Sequence, residues 1–374
     1  MLSVDPILAE SIAGSFRPFV RVDSWYGGNL LFSDLPVESG SVTVDSTSLI
    51  QRTLTLTVVG DDPRLDPDYM GVDGSMSAVG CDGQELVVHL GVLLPDGRPV
   101  TTQVGVFVIS DVDPKDMWLS KDGKGVLLGT RVAIKASDRA LKVSEDRFYT
   151  AAASQRSTMF QEISLLLWPL SYTGKHQVPD RSIGSIVYDS DDRLAACDAV
   201  AKAGDARLVW DVMGAATLRP RSSSPGEWVL PQDDVVVDVS RKRSRSEIYN
   251  VVVSEGGDSV QAPLYGVESE ALGPYRALGP FGRRPYKRRA PFATTQSAID
   301  SDARTTLTNI TLRRQQTATI EGPWNPALES LDLVTWRHPS GEWKSGRAES
   351  FTMRFDGTQT TTVLLPHPIA EASR

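Results

Sequence analysis

The sequence has 374 residues, with 39 lysines and arginines against 47 aspartates and glutamates, and a formal net charge of −8 at pH 7. An acidic balance of this size excludes non-specific nucleic-acid binding by the whole protein, so any contact with DNA has to be local. The hydrophobic fraction of 40% and the charged fraction of 23% are ordinary for a globular chain and exclude a largely disordered one. A chain of this length exceeds one typical domain, and we expect about two to four modules.

The first part of the chain, residues 1–149, is predicted to be a β module. Leucine and valine alternate with threonine over residues 53–58, the pattern of a strand with one buried and one solvated face. Hairpins are predicted around the glycines at 27–28 and around the Pro-Asp-Gly turn at 95–97, since both supply turn residues. A further strand at 125–136 completes the module.

Residues 150–230 change in character and are predicted to be a small α+β insert. Apolar residues recur at helical spacing over 159–167, and Thr158 with Gln161 matches a capping box. A second helix, ending at Gly204, and a small hairpin are expected to follow.

Residues 231–374 are predicted to be a second β module with one helix and a long basic loop. The segment 248–253 is apolar and β-branched, as in a strand, and a helix is expected over 297–314. The stretch 256–296 shows no periodicity and is predicted to be a long loop, of the kind that is usually functional or disordered. Further strands are expected near 317–321, 331–336, 347–355 and 359–365.

Two basic clusters stand out in this acidic chain and are the predicted interaction residues. The first cluster is Arg241, Lys242, Arg243 and Arg245, and the second is Arg283, Arg284, Lys287, Arg288 and Arg289. These nine cations either line a lumen through which DNA passes, or meet an acidic neighbour, or form only a solvated loop face. Because the cations of 282–291 repel one another, we expect this segment to protrude as a mobile, solvated loop in the free protein.

No residue is predicted to be catalytic, to bind a metal or to bind a cofactor. The sequence contains no P-loop, HExxH motif or GxSxG elbow. Cys81 and Cys197 show no CxxC spacing, and the four histidines stand alone, whereas a metal site needs several convergent ligands. Acidic pairs such as Asp191 and Asp192 are expected to serve helix starts or strands rather than to be the two carboxylates of a glycosidase. No window approaches the roughly 20 apolar residues of a membrane span, so we expect no membrane insertion.

Several segments resemble one family of viral structural proteins. The strand IYNVVVS at 248–254, the helix before the last strands, and the pattern P-x-L-x-x-x-D-x-V at 326–334 resemble the hub proteins of phage tails. The combination of GSVTVD, a following Arg52, GVFVISDV and IKASDRAL is similar to the N-terminal module of actinobacteriophage minor tail proteins. The segment around LVWDVMG is similar to the small α+β insert of tail hubs.

The resemblance implies a fold, an assembly and a set of partners. The fold would be mainly β, with two tube-like antiparallel β-barrel modules joined by a small α+β domain. Three copies would close a hub ring in the virion tail, assembled in the host cytoplasm, with the distal tail protein, the tape measure and fibres as partners and with DNA passing through the lumen. A rival assembly is the hexameric distal tail ring. An alternative of another class is a cell-wall hydrolase or a carbohydrate-binding β protein.

Overall fold

The computed structural model describes most of the chain. The described residues are 2, 4–12, 14–72, 74–121, 124–150, 152–170, 174–188, 191–220, 227–229, 238–242, 245, 248–256, 263–290, 295–313, 317–337 and 342–365. Its helices are α1 (Pro6–Ile12), α2 (Ala140–Glu145), α3 (Met159–Leu167), α4 (Arg193–Ala203) and α5 (Gln296–Arg313). Its strands up to the end of the insert are β1 (Arg17–Tyr26), β2 (Asn29–Phe32), β3 (Val37–Asp45), β4 (Arg52–Gly60), β5 (Glu85–Leu93), β6 (Pro99–Lys121), β7 (Lys124–Asp138), β8 (Ala206–Trp210) and β9 (Ala216–Pro220). The later strands are β10 (Glu227–Val229), β11 (Asp238–Lys242), β12 (Val251–Gly256), β13 (Leu264–Ser269), β14 (Pro285–Arg289), β15 (Thr317–Pro323), β16 (Leu333–Arg337), β17 (Trp343–Arg354) and β18 (Thr358–Leu364).

The predicted fold class, mainly β with an α+β insert, is confirmed by these elements. The helices expected at 159–167 and 297–314 are α3 and α5, and the four strands expected after α5 are all present. The chain divides into two compact units. Unit 1 comprises Met1–Asp238 and Ile320–Thr362, and unit 2 comprises Val239–Thr319 and Val363–Arg374. The division into three modules at 149 and 230 stays a prediction.

The main sheet of unit 1 joins strands that are far apart in the sequence. Its order runs β2-β1-β5-β6-β7-β4-β3-β17, and each neighbouring pair is antiparallel. In β4 the predicted alternation holds, because Leu54, Leu56 and Val58 are buried while the intervening threonines are not. The strand β17 pairs with β3 in a register that sets Phe351 opposite Val44, and both side chains are buried. The late part of the chain therefore completes a sheet that the early part begins.

The insert packs α3 and α4 against the β8–β9 hairpin around a common apolar core. Its members include Met159, Ile163, Cys197 and Leu218, all of them buried. The predicted capping box is wrong, since the Thr158 side chain makes no cap hydrogen bond. Instead, Asp180 Oδ1 accepts from Phe160 N (3.0 Å), so a carboxylate from a separate loop caps the helix.

Buried charges fix the β8–β9 hairpin on the rest of unit 1. The side chain of Arg219 donates to Glu329 Oε1 (2.6 Å), and both side chains are more than nine-tenths buried. Arg52, also buried, donates to the carbonyls of Trp210 (3.3 Å) and Val104 (2.9 Å). Burial, with the neighbouring Arg219 charge, lowers the pKa of Arg207 to about 10. The contacts of Arg219 and Arg52 therefore join the β8–β9 hairpin to other parts of unit 1 and fix its position there.

A second ionic cluster joins Glu85, at the start of β5, to Arg139 and Lys142, which follow β7. Arg139 donates to both carboxylate oxygens of Glu85 (3.1 and 2.6 Å), and Lys142 Nζ donates to Glu85 Oε1 (2.9 Å). Arg139 also donates to the carbonyl of Gly214 at the tip of the β8–β9 hairpin (3.1 Å). Burial raises the pKa of the Glu85 carboxyl, but the hydrogen bonds from Arg139 and Lys142 outweigh burial and hold that pKa below its ordinary value.

Unit 2 contains a three-stranded sheet in the order β13-β12-β14, with α5 packed on β12 and β13. Gly266 of β13 is required for this packing, because a Cβ there would lie 2.5 Å from the Ile299 carbonyl oxygen. The prediction of one long loop over 256–296 is wrong, since this stretch contains β13 and β14. Neither strand alternates clearly in hydrophobicity, because only Gly266 is buried in β13 and all five side chains of β14 are exposed.

Candidate interaction surfaces

Three of the five cations of the second predicted basic cluster, Lys287, Arg288 and Arg289, lie on the edge strand β14, and Arg283 and Arg284 directly precede it. β14 pairs with β12 in parallel, with Lys287 opposite Val253 and Arg289 opposite Glu255. All five side chains of β14 are exposed. Because residues 285–289 pair with β12 as a strand, the expectation that they form a protruding loop is wrong.

Of the first cluster, Arg241 and Lys242 lie in β11 and Arg245 is exposed, while Arg243 lies outside the described residues. Arg245 belongs with the second cluster. Its guanidinium lies 4.9 Å from the centre of the Phe281 ring and donates to the Phe281 carbonyl (3.1 Å). The backbone carbonyl of Arg245 in turn accepts a hydrogen bond from the side chain of Arg284. The structure therefore brings members of both clusters together.

Asn250 holds the segment that leads into β14, and its side chain is fully buried. Its amide nitrogen donates to the carbonyls of Tyr275 (2.8 Å) and Gly282 (2.7 Å), and its side-chain oxygen accepts from Arg284 N (2.7 Å). One amide thus contacts three backbone positions, and these contacts satisfy the polar atoms of the buried Asn250 side chain. This role of Asn250 was not predicted from the sequence, where the residue served only as part of the IYNVVVS pattern. Its hydrogen-bond partners lie 25 to 34 residues further along the chain, so no local pattern indicates them.

The cations of the β14 region divide into two groups by what their side chains contact. Arg284 lies over the Tyr249 ring (5.8 Å), and Arg288 donates to Thr306 (3.0 Å) and pairs with Asp302 (3.4 Å) on α5. Arg283, Lys287 and Arg289 are exposed, and we find no ion pair or hydrogen bond from their side chains to other described residues. We call these three residues the basic triad. Because Lys287 and Arg289 are two apart in a strand, they share the sheet face opposite to α5. The positive charges of the triad can attract an anionic partner.

A second surface, which sequence reasoning missed, is the outer part of the β6–β7 hairpin. Its exposed apolar side chains are Trp118 (63% exposed), Leu119 (49%), Val126 (43%), Leu127 (49%) and Leu128 (55%). The signal in the sequence is a pair of short apolar runs, 117–119 and 126–128, on either side of a stretch that contains glycines. They do not alternate with polar residues, so neither face of the hairpin is marked as the solvated one.

The described part of the chain shows no sign of a metal centre or of a membrane-crossing helix. Within it, no three His, Cys, Asp or Glu side chains gather in a way that could hold a metal ion. Within the same residues, no helix combines the length and the apolar character needed to cross a bilayer. Burial raises the pKa of the Cys197 thiol well above its ordinary value, so this cysteine is held as an inert thiol in the core of the insert.

Comparison with known proteins shows a likeness in fold. No family model matches the chain, and no curated protein matches its sequence. Solved structures do match it, and the fold that it shares with them is that of tail proteins.

Three solved structures carry this likeness, each over nearly the full length of both chains. The tail protein from Neisseria meningitidis MC58 is 14% identical, with 93% of this chain and 97% of that chain covered and a TM-score of 0.61. The 43 kDa tail protein of prophage MuSo2 from Shewanella oneidensis is 12% identical, with coverage of 92% and 98% and a TM-score of 0.62. The prophage tail protein gp18 from Listeria monocytogenes EGD-e is 11% identical, with coverage of 95% and 97% and a TM-score of 0.52. At these identities the likeness concerns the fold.

Proposed function

We propose that this chain is a structural protein of a phage tail tip, in which three copies close a hub ring that links the tail tube to distal tip proteins or fibres. The observation that carries the proposal is the end-to-end likeness to three solved tail proteins, since it covers 92% or more of this chain in each case. A likeness confined to one sheet would be much weaker support, because single β architectures serve many functions.

The proposed role is mechanical and not catalytic. The ring would continue the tail tube, with DNA passing through its lumen, and the outer strands and loops would dock the distal tail protein, the tape measure or fibres. Support for a non-catalytic role comes from the site chemistry, since the two exposed surfaces are a set of cations and a set of apolar side chains. Neither combines a nucleophile with a base, as covalent catalysis requires.

The basic triad, together with Arg245 and the cations of β11, is proposed as the contact for a negatively charged partner in the tail. An acidic neighbouring protein and the phosphates of passing DNA both carry the required charge. Salt dependence separates them, because a polyphosphate releases condensed counterions when it is bound, and its affinity falls steeply as salt rises.

The decisive experiment is to count copies in assembled tails. Particles are purified from a lysate that expresses the chain, and its abundance is measured by quantitative mass spectrometry against the tail-tube protein, with rotational symmetry read from electron cryomicroscopy. Three copies per particle at the end of the tube support the proposal. Six copies would assign the chain to the distal tail ring, and absence from purified particles would overturn the structural role.

A further inference from the structure

The outer part of the β6–β7 hairpin extends beyond every strand that flanks it. β5 pairs with β6 only from Pro99 to Val108, and β4 pairs with β7 only from Thr130 to Ser137. Beyond these limits, residues 117–121 and 124–129 pair with each other alone, and we call this part the ribbon. Both of its edges are therefore free of any described strand. A two-stranded ribbon with no further support is marginally stable in water.

The ribbon is apolar on both faces. Trp118 lies opposite Leu127, on the face that continues the buried side of the sheet, where Val132 and Ile134 are located. Leu119 lies opposite Val126 on the other face. Four exposed apolar side chains on two faces of one ribbon cannot be covered by a single flat contact, so a partner has to lie against the ribbon from the side or to enclose it.

The same sheet has a second open edge at β2, the terminal strand. β2 pairs with β1 over Ser24 to Tyr26, and no described strand lies on its other side. Leu30 in β2 is 48% exposed, and Tyr26 at the adjoining end of β1 is 38% exposed. The β1–β2 hairpin thus offers a free row of backbone donors and acceptors together with apolar side chains, which are the two features that the ribbon also has.

We propose that the ribbon of one copy packs against the β1–β2 hairpin of a second copy, with the free edge of β6 added to the edge of β2. Each chain carries one ribbon and one β2 edge at different places, so the contact is head-to-tail and can close into a ring. Pairing of the β6 edge with the β2 edge gives hydrogen-bond partners to the free backbone groups of both strands. The same contact covers apolar side chains of both hairpins.

The exposed apolar area of the ribbon is too small for a stable interface that is formed by hydrophobic contact alone. The exposed apolar side chains of the ribbon are one tryptophan, three leucines and one valine, and each is only about half exposed. A standard interface buries about 800 Å² per partner, so the apolar side chains alone fall short and backbone pairing has to supply the rest. Lipid is a poor occupant, because Asp113 and Asp116 are exposed on the same hairpin and charged groups are costly in a bilayer.

The inference rests on the proposed ring for its function, and it is tested on the full-length chain without reference to a tail. A photo-crosslinking amino acid replaces Trp118, and this protein is mixed at high concentration with an isotopically labelled copy that lacks the substitution. Cross-links between unlabelled and labelled chains that map to residues 24–32 are the expected result. Cross-links between copies that map elsewhere, or none between copies, would overturn the inference.

Charge substitutions provide the second measurement. The double variant Trp118→Asp and Leu127→Asp is expected to weaken self-association at least ten-fold in sedimentation equilibrium, and Leu30→Asp is expected to do the same from the other side of the contact. Leu272→Asp, which alters an 82% exposed leucine in unit 2, is the matched control and should leave association unchanged. Thermal melts within a few degrees of the parent protein establish that the variants fold. The proposed contact is overturned if the ribbon variants associate normally, or if the control weakens association as much as they do. Either result would leave a count of three copies per tail, and with it the proposed function, unaffected.

Discussion

Single residues fix the arrangement of the first unit, and Glu85 gives the clearest pH-dependent prediction. Glu85→Gln removes the carboxylate that accepts three hydrogen bonds from Arg139 and Lys142, and we expect it to lower the free energy of unfolding at pH 7 by about 1–3 kcal/mol. Because the pKa of Glu85 is lower in the folded than in the unfolded chain, its contribution is present above the unfolded pKa and is lost as pH falls. Chemical denaturation of both proteins should therefore give a smaller difference at pH 3 than at pH 7.

The matched control for this change is Glu38→Gln. Glu38 pairs with Arg131 at 2.5 Å, but both side chains are close to half exposed. A surface pair contributes roughly 0–1 kcal/mol, so the control should change stability little at either pH. A difference for Glu85→Gln that does not depend on pH would contradict the assignment.

The buried pair of Arg219 and Glu329 gives a second prediction at this scale. Glu329→Ala leaves Arg219 buried without its partner, close to the charges of Arg207 and Arg52, and is expected to cost about 3–5 kcal/mol of unfolding free energy. The double variant Arg219→Leu and Glu329→Leu removes both charges and should be more stable than the single variant. Equilibrium denaturation in urea measures both, and equal losses in the two would show that the pair's charge is not what matters.

At the scale of single elements, β14 allows a prediction that separates binding from folding. Replacing the basic triad, Arg283, Lys287 and Arg289, by serine changes exposed side chains and should leave the melting temperature within about 2 °C of the parent protein. The same change should impair tail assembly or DNA passage if the triad meets an anionic partner. Infectivity of particles that carry the variant chain is the measurement.

The matched control uses the other cations of the same segment. Arg284→Ser and Arg288→Ser remove contacts with Tyr249, Asp302 and Thr306, so this double variant should lower stability by about 1–2 kcal/mol. Normal infectivity of the triad variant would show that the triad is only a solvated face. A large fall in its melting temperature would show instead that the strand itself depends on these side chains.

Elements with a strong local pattern were predictable from the sequence, and edge elements were not. The alternation in β4 and the helical spacing in α3 report directly which face is buried. The sequence of β14 has no such pattern, because all five of its side chains are exposed. Its strand conformation comes from pairing with β12, more than 30 residues away. The Asp180 cap of α3 was missed for the same reason, since the carboxylate comes from 20 residues downstream of the amide that it accepts from.

At the scale of the whole molecule, the proposed mechanical role predicts no covalent chemistry on the cell wall. Purified protein incubated with peptidoglycan should release no more reducing sugar than a heat-inactivated control. The reason is that neither the basic triad nor the ribbon holds a nucleophile and a base together. Release above the control that is abolished by changing a single Asp or Glu would contradict this role. The test also addresses the alternative of a hydrolase.

The composition and the order of elements predicted the fold class, but not how the ends of the chain combine. The pairing of β17 with β3 sets Thr352 beside Thr43, 309 residues apart, with a hydrogen bond of 2.9 Å between their hydroxyls. No local periodicity encodes such a pair. Likewise, the Glu85 cluster joins residues 54 and 57 positions apart, and only the folded sheet brings them together.

The place where the ribbon leaves the sheet has a consequence for the curvature of any assembly built from it. Gly129 has a φ of 149°, and a Cβ there would lie 2.7 Å from the carbonyl oxygen of Gly60. The β6–β7 pairing also shifts register between Met117 and Trp118, which sharpens the local twist. The direction in which the ribbon leaves the sheet therefore depends on the backbone conformation at Gly129 and on this bulge. In the proposed ring, this direction fixes the turn from one copy to the next, so the number of subunits would be encoded in backbone geometry close to Gly129.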